Sequence, residues 1–404
     1  MEIGISKNMP PVNILILESG FGKGGSSVVL CYELEQMNRE IFNPMVGFYY
    51  KAYSEDINKL KNLGLEVLQF NLPVPKMIPK RPRIVMKIFK YLYILFSMAK
   101  QELPGALRIA WQIRKRQIKL VMFNNDLGLH TIGFLSAKLA RVPCVVRKGG
   151  YGYSRKITRM LSPYVNGFFA ISHAAAQDQR FDYPKIKTIP VIYHGIPLKR
   201  FDPSLEGRHI REELGIPYDH ILITSVSRIA PGKGHFELIQ AAKDLIEKHK
   251  NLNFLLVGDD VEFEGSFLRG VKEQVRKLDL ENYFIFVGWR SDVENILAAT
   301  DIFVHCPTQE CMEGLGLVAI EAAAMGKPVV LSNNYGLAET VIDKQTGYVV
   351  EMGDVKAIVE AITKLVMDKK LCLTFGSNAR KFAEERFDSR KNVRKIEELL
   401  FKFV

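Results

Sequence analysis

The sequence predicts an α/β protein of two Rossmann-like, doubly wound parallel-sheet domains facing each other across a cleft. Three observations carry that expectation. The chain has 404 residues, more than one domain at roughly 150 residues each. Short apolar runs alternate with helical patterns through both halves, an order that calls for right-handed crossovers and a parallel sheet. The connector KTIPVIYHGIPLKRFDPS, with three prolines, interrupts the alternation near 190–205. The expected domains are therefore 1–192 and 193–375, with the charged amphipathic segment 376–404 as a C-terminal helix packing back on the first.

In the first half NILILES (13–19) reads as a buried strand, followed by a glycine-rich loop and the helix SSVVLCYELEQMN. Further strands are NPMVGFYY, LEVLQFNL, KLVMFNN, PCVVRK and GFFAIS, with helical patterns at 54–63, 84–99, 104–117 and 128–140. In the second half the strands are ILITSVSR, NFLLVGD, YFIFVGW, DIFVHCP, PVVLSN and YVVE. Helices are expected at 235–249, 266–278, 292–299, 315–325 and 354–368. The unbroken apolar character of these runs suits strands covered on both faces. Ligands of such sheets bind at the carboxyl ends of the strands, which makes the cleft the expected active site.

Composition excludes several classes. With 47% hydrophobic and 25% charged residues, the chain buries enough apolar surface to fold, which rules out a disordered or fibrous protein. Five scattered cysteines make neither a disulfide framework nor a zinc site, since Cys306 and Cys311 have no second pair. A reducing compartment and no metal ion are expected. The N-terminus lacks the pattern of a signal peptide. The apolar run Tyr91–Ala99 is far below the ~20 residues of a membrane span. The cytoplasm is the expected location.

Charge is unevenly spread. Residues 1–200 carry 30 basic and 12 acidic side chains, a net of +18, whereas 201–404 carry 26 and 32, a net of −6. The first half is built to meet something anionic. Residues 76–119 alone hold 12 basic side chains and one acid. Ile84, Ile88, Leu92, Leu95 and Ala99 recur there at helical spacing, and Lys80, Arg81, Arg83, Lys87 and Lys90 are candidates for a membrane-facing surface. A core helix with a solvated basic flank has the same pattern.

Three motifs carry chemistry. In CMEGLGLVAIEAAAMGKPVV, Glu313 and Glu321 are eight apart. The backbone of Gly314, Leu315, Gly316 and Leu317 lies between, at the start of a helix suited to an anion. Ionised carboxylates are strong acceptors for sugar hydroxyls and a ribose diol. In SVSRIAPGKGHFELIQA, Arg228 closes a strand and Lys233 opens a helix, so two cations can neutralise a departing diphosphate. In ESGFGKGGSS the glycines, Gly24 and Gly25 among them, form a loop suited to lie under a phosphate or an acceptor. That loop lacks the ending of a P-loop, and Glu40 precedes the next strand rather than ending it, so the dinucleotide fingerprint is incomplete.

Together these strings resemble the GT-B glycosyltransferases of family four, also called glycosyl transferases group one. FFAISHAA, VIYHGIPLKRF, SRIAPGKG, EGLGLVAIEAAAMGKPVV and GLAETVIDKQTGYVVEMGD follow the family's order over most of the chain. The resemblance implies a retaining, metal-independent hexosyltransferase without a cofactor, using a UDP- or GDP-sugar. It implies that Arg228 and Lys233 contact the donor diphosphate, Glu321 the ribose and Glu313 the donor sugar. The acceptor would be a saccharide or lipid-linked saccharide bound by the basic half, in cell-surface polysaccharide or glycolipid synthesis, at the inner face of the plasma membrane. Asn125, His130, Arg147 and Lys148 are the acceptor-side candidates, although His130 also suits a packed position and the Arg147–Lys148 pair a structural salt bridge. His194 and Pro197 depart from the family's connector.

Two alternatives stand beside this reading. A sugar-nucleotide epimerase or phosphorylase on the same scaffold would want a carboxylate–histidine cluster or a lysine-bound pyridoxal phosphate, and the sequence signals neither. A non-catalytic module for anionic lipid or nucleic acid would not need the two glutamates and two cations, and for nucleic acid the aromatic interleaving is missing.

Overall fold

The computed structural model describes residues 10–19, 25–73, 102–149, 160–177, 189–260 and 263–404. Gly24, Lys80, Arg81, Arg83, Lys87, Lys90 and the helical pattern expected at 84–99 lie outside them. The chain forms two compact units, one drawn from Met1–Ile171, Ala176–Ile192 and Val393–Val404, the other from Ser172–Ala175 and Tyr193–Asn392. Among the described residues no helix is long and apolar enough to cross a membrane.

In the first unit the elements run β1 (Val12–Glu18), α1 (Gly25–Gln36), β2 (Phe42–Phe48), α2 (Ser54–Asn62), β3 (Glu66–Gln69) and α3 (Leu103–Lys115). Then come β4 (Leu120–Phe123), α4 (Thr131–Ala140), β5 (Cys144–Lys148) and β6 (Gly167–Ala170). The six strands are parallel, in the order β3-β2-β1-β4-β5-β6. Alternation along each strand sorts the core onto two faces. Ile14, Ile16, Phe42, Val46 and Met122 pack with Leu30 and Leu34 of α1 and Ile57 and Leu60 of α2. Leu15, Leu17, Met45, Val121 and Phe123 pack on the other side with Ile109 and Ile113 of α3 and Phe134 and Ala137 of α4. Strands covered on both faces cannot show a polar alternation, which is why they read as continuous apolar runs.

A short helix α5 (His173–Gln177) follows β6. The second unit continues with α6 (Arg208–Glu213), β7 (Ile221–Val226), α7 (His235–Lys248), β8 (Leu252–Val257), α8 (Ser266–Lys277) and β9 (Phe284–Phe286). Next are α9 (Val293–Ala299), β10 (Ile302–His305), α10 (Leu317–Ala324), β11 (Val329–Ser332), β12 (Gly347–Val350), α11 (Val355–Met367) and α12 (Lys369–Arg386). Its six strands are again parallel, ordered β12-β11-β10-β7-β8-β9. Counted within the unit this is the same 3-2-1-4-5-6 order as in the first. The strand order of each sheet therefore reverses direction once, between β1 and β4 and between β7 and β10, and such switch points open a crevice at the strands' carboxyl ends.

The segment expected as one helix over 376–404 is two: α12, then α13 (Ser389–Phe401) after a break at Phe387–Asp388. The break is held by the chain at 195–196: Ser389 N–H donates to the Ile196 carbonyl (3.1 Å), and Ile196 N–H to that of Phe387 (2.8 Å). Gly195 has no side chain, and any Cβ there would overlap the Ser389 backbone. From Val393 onward the helix belongs to the first unit, where Val393, Ile396 and Leu400 enter the core beside α1 and α2.

Candidate functional site

The second unit's switch point gathers the charged motifs. β7 ends at Val226 and the chain runs through Arg228 and the Pro-Gly-Lys-Gly turn into α7. β10 ends at His305 and the chain runs through Glu313 into α10. Gly232 and Gly234 have φ of +78° and +83°, a left-handed backbone that glycine adopts without penalty. A Cβ on Gly234 would overlap the Cys306 carbonyl. Thr308 N–H donates to the Gly232 carbonyl at 2.9 Å. The glycines thus let the turn lie directly against the chain leaving β10.

That approach brings Lys233 Nζ onto the Glu313 carboxylate as an ion pair. His305 Nε2 lies 3.5 Å from the same oxygen. Burial pushes the Glu313 carboxyl upward, but the His305 hydrogen bond and the Lys233 charge outweigh it and hold the group well below the usual carboxylate range. Glu313 is therefore an anion at neutral pH. An ammonium has three donors, so Lys233 can hold Glu313 and still reach a phosphate oxygen.

Two residues that sequence reasoning missed shape this corner. Asn334, wholly buried after β11, accepts from Glu313 N–H at 2.8 Å and donates to the carbonyls of Cys311 (2.8 Å) and Thr308 (3.0 Å). It thereby fixes the loop that presents Glu313. His305 is the last residue of β10 and is buried, with Nδ1 making no hydrogen bond. Its signal was a lone histidine in an apolar strand end, and that of Asn334 a polar pair, Asn333-Asn334, directly after a strand.

Gly316 caps α10 with φ +76°, and Glu321 lies just over one turn into that helix, 3% exposed. Leu315 is buried, and Gly314 and Leu317 half-buried. Arg228 is exposed directly after β7, and its carbonyl accepts from His235 Nε2 at 3.1 Å. Burial lowers His235 to about 4, so its ring is neutral. A pocket of about 490 Å³ opens beside the turn, lined by Gly232, Gly234, Phe236, Phe267, Thr308 and Met352 among others. Among the described residues no group of three or more His, Cys, Asp or Glu is placed to hold a metal.

The first unit's switch point holds a polar cluster instead. Glu18 ends β1, and its carboxylate accepts from Ser19 N–H (2.9 Å), Ser26 Oγ (3.0 Å) and the side-chain amides of Asn124 (2.5 Å) and Asn125 (3.3 Å). Asn125 is half-buried there, and Gly25 is the exposed first residue of α1. Glu18 was not singled out in the sequence, although an acid closing the first strand marks such a crevice.

Three acceptor-side candidates are buried. His130 is 0% exposed. Its Nδ1 lies 3.0 Å from the Tyr49 hydroxyl and its ring stacks on Phe123, while burial lowers it to about 3. Arg147 is 2% exposed, ion-paired with Glu33 of α1, and donates to Asn124 Oδ1 at 2.5 Å. Lys148 is 1% exposed. Arg147 and Lys148 sit inside the fold because β5 is covered on both faces, and His130 because it enters α4 against Tyr49 and Phe123; none of the three side chains is exposed.

Residues 207–382 match the family model described as glycosyl transferases group 1. The UDP-Gal:alpha-D-GlcNAc-diphosphoundecaprenol alpha-1,3-galactosyltransferase of Escherichia coli is 28% identical over 314 residues, 73% of this chain and 78% of that one. The GDP-mannose-dependent alpha-(1-6)-phosphatidylinositol monomannoside mannosyltransferase of Mycolicibacterium smegmatis is 30% identical over 213 residues, 51% of this chain and 54% of that one. Anabaena HepE, solved in complex with UDP and glucose, superposes with a TM-score of 0.80 at 22% identity, covering 97% of this chain and 100% of that one.

Proposed function

We propose that the chain transfers a hexose from a UDP- or GDP-sugar to a saccharide or lipid-linked saccharide, a reading supported by the match of residues 207–382 to the glycosyl transferases group 1 model and by the GT-B fold. Anomeric configuration is retained and no metal ion is needed. The observation that carries the reading is the Lys233–Glu313 pair at the carboxyl ends of β7 and β10. A donor seated there has its diphosphate on Lys233, Arg228 and the backbone of Gly314 to Leu317. Its ribose is on Glu321 and its sugar is beside Glu313. Gly24 and Gly25 are kept in this reading as donor-binding residues on the strength of the glycine-rich sequence alone.

The acceptor hydroxyl oxygen bonds to the anomeric carbon as the carbon–oxygen bond to the diphosphate breaks, and the hydroxyl proton leaves with the diphosphate. Two cations and helix-start amides stabilise the charge that develops on the leaving group. No protein group has to coordinate a divalent ion for that. Asn125, within the Glu18 cluster, is the acceptor-side residue this reading keeps. The relatives named above act on a diphosphoundecaprenol-linked sugar and a phosphatidylinositol monomannoside, which supports a lipid-linked acceptor.

Calorimetric titration with UDP and GDP, followed by nucleotide release from UDP- and GDP-sugars, tests the reading. Binding of one nucleotide in the micromolar range and its loss in Lys233→Ala are expected. Failure of both nucleotides to bind would overturn the donor assignment.

A further inference from the structure

α3 satisfies the fold with one face only. Ala106, Ile109, Ala110 and Ile113 are buried against the sheet and α4. Gly105 lets the helix close on Leu72 and Ile132, which lie 3.2 and 3.6 Å from the position of an added Cβ. The opposite face carries Leu103, Leu107 and Trp111, exposed by 47, 53 and 56%. Four-residue spacing lines these three up as a single stripe. A helix face turned only to water is ordinarily polar, and three large apolar side chains in a row there call for a partner.

The surroundings say which kind. Arg108, Arg114 and Lys115 are exposed on the same helix, and Lys115 Nζ stands 4.9 Å over the Trp111 ring. Lys138 and Arg141 are exposed at the end of α4, where Leu139, whose carbonyl accepts from the Arg114 guanidinium, is also exposed. No acidic residue occurs between Glu102 and Asp126. A stripe of bulky apolar groups rimmed by cations, with Glu102 ahead of Leu103 and Glu66 paired to Arg116 as the acids at its two ends, matches an anionic bilayer surface, with apolar groups at the acyl boundary and cations at the lipid phosphates. A second copy docking face to face would bring like charges together.

We propose that the outer face of α3 seats the protein on an anionic membrane, with Leu103, Leu107 and Trp111 entering the interface. This names the membrane partner of the reading above and rests on that reading for its purpose, though not for its test.

The chain has two tryptophans, so Trp289→Phe in the full-length protein leaves Trp111 as sole reporter. On mixed phosphatidylglycerol–phosphatidylcholine vesicles its emission shifts to the blue and the protein co-sediments. Pure phosphatidylcholine and inorganic phosphate produce no shift. Leu107→Glu, a change at an exposed position, lowers vesicle partition by about tenfold or more, as removal of one inserted apolar side chain requires. Its thermal midpoint and its UDP and GDP affinities stay at the parent values. Absence of co-sedimentation, unshifted Trp111 emission on vesicles that do bind, or undiminished partition of Leu107→Glu overturns the proposal. So does a dimer that Leu107→Glu dissociates without any change in vesicle binding. If neither nucleotide binds while vesicle binding holds, the donor assignment falls and the α3 surface stands.

Discussion

Lys233 and Glu313 are 80 residues apart in sequence, yet their side chains form an ion pair that ties the loop after β7 to the loop after β10. Both are largely sequestered, with side chains 10% and 17% exposed. Removing the cation leaves the carboxylate with His305 Nε2, at 3.5 Å, as its remaining ring-nitrogen neighbour. Lys233→Met is expected to abolish transfer and to destabilise the protein by about 3 kcal/mol, as the loss of one partner from a sequestered pair does. Glu313→Gln added to it should restore part of that stability and none of the activity. Urea unfolding of the two single variants and the double variant measures the coupling, and strict additivity would remove the pair from the account.

Glu321 is expected to bind the donor ribose from its place on α10. Glu321→Ala should weaken UDP or GDP binding by at least about tenfold, the loss of one charge-assisted hydrogen bond. Calorimetry on the folded variant checks it, and unchanged affinity removes the ribose assignment.

Gly234 combines a left-handed φ with direct contact to the chain leaving β10. Gly234→Ala is therefore expected to cost about 2 kcal/mol or more and to displace Lys233 from Glu313. Gly215 has a similar φ of +65° but open space around it. Gly215→Ala should bear the backbone strain alone and leave nucleotide binding intact. Equal effects of the two substitutions on nucleotide affinity would argue against the close approach.

Burial holds His130 and His235 neutral, with values of about 3 and about 4 against an ordinary 6.5. Between those limits the unfolded chain binds more protons than the folded one, so stability falls as pH drops below about 6.5. Denaturant midpoints measured from neutral pH to about pH 4 should decline, and His130→Gln should flatten part of that slope. A slope unchanged by the substitution would show that other groups carry the acid sensitivity.

Much of the site was legible because its residue types sit at turns that glycine marks. Lys233 between two glycines, and Glu313 ahead of Gly-Leu-Gly-Leu, announce a strand end and a helix start before any coordinates exist. Asn334 and His305 gave weaker signals, since their value lies in partners 21 and 8 residues away across a loop. The burial of His130, Arg147 and Lys148 was hard to read for the converse reason. A polar side chain near a strand end looks functional until the layers on either side are known, and α1 supplies the glutamate that takes Arg147 into the interior.

From the chain alone came the α/β class, the two halves, the asymmetry of charge and the identity of the two glutamates and two cations. These are written in local periodicity and spacing, because burial on both faces forces apolar runs and tight turns force glycine. Tertiary structure alone decided the strand order, and with it the switch points that bring Lys233 to Glu313 and Glu18 to Asn124. It also decided which face of α3 is left uncovered. Periodicity records that a side chain faces inward, whereas the neighbour it meets there depends on how strands from distant parts of the sequence line up in the sheet.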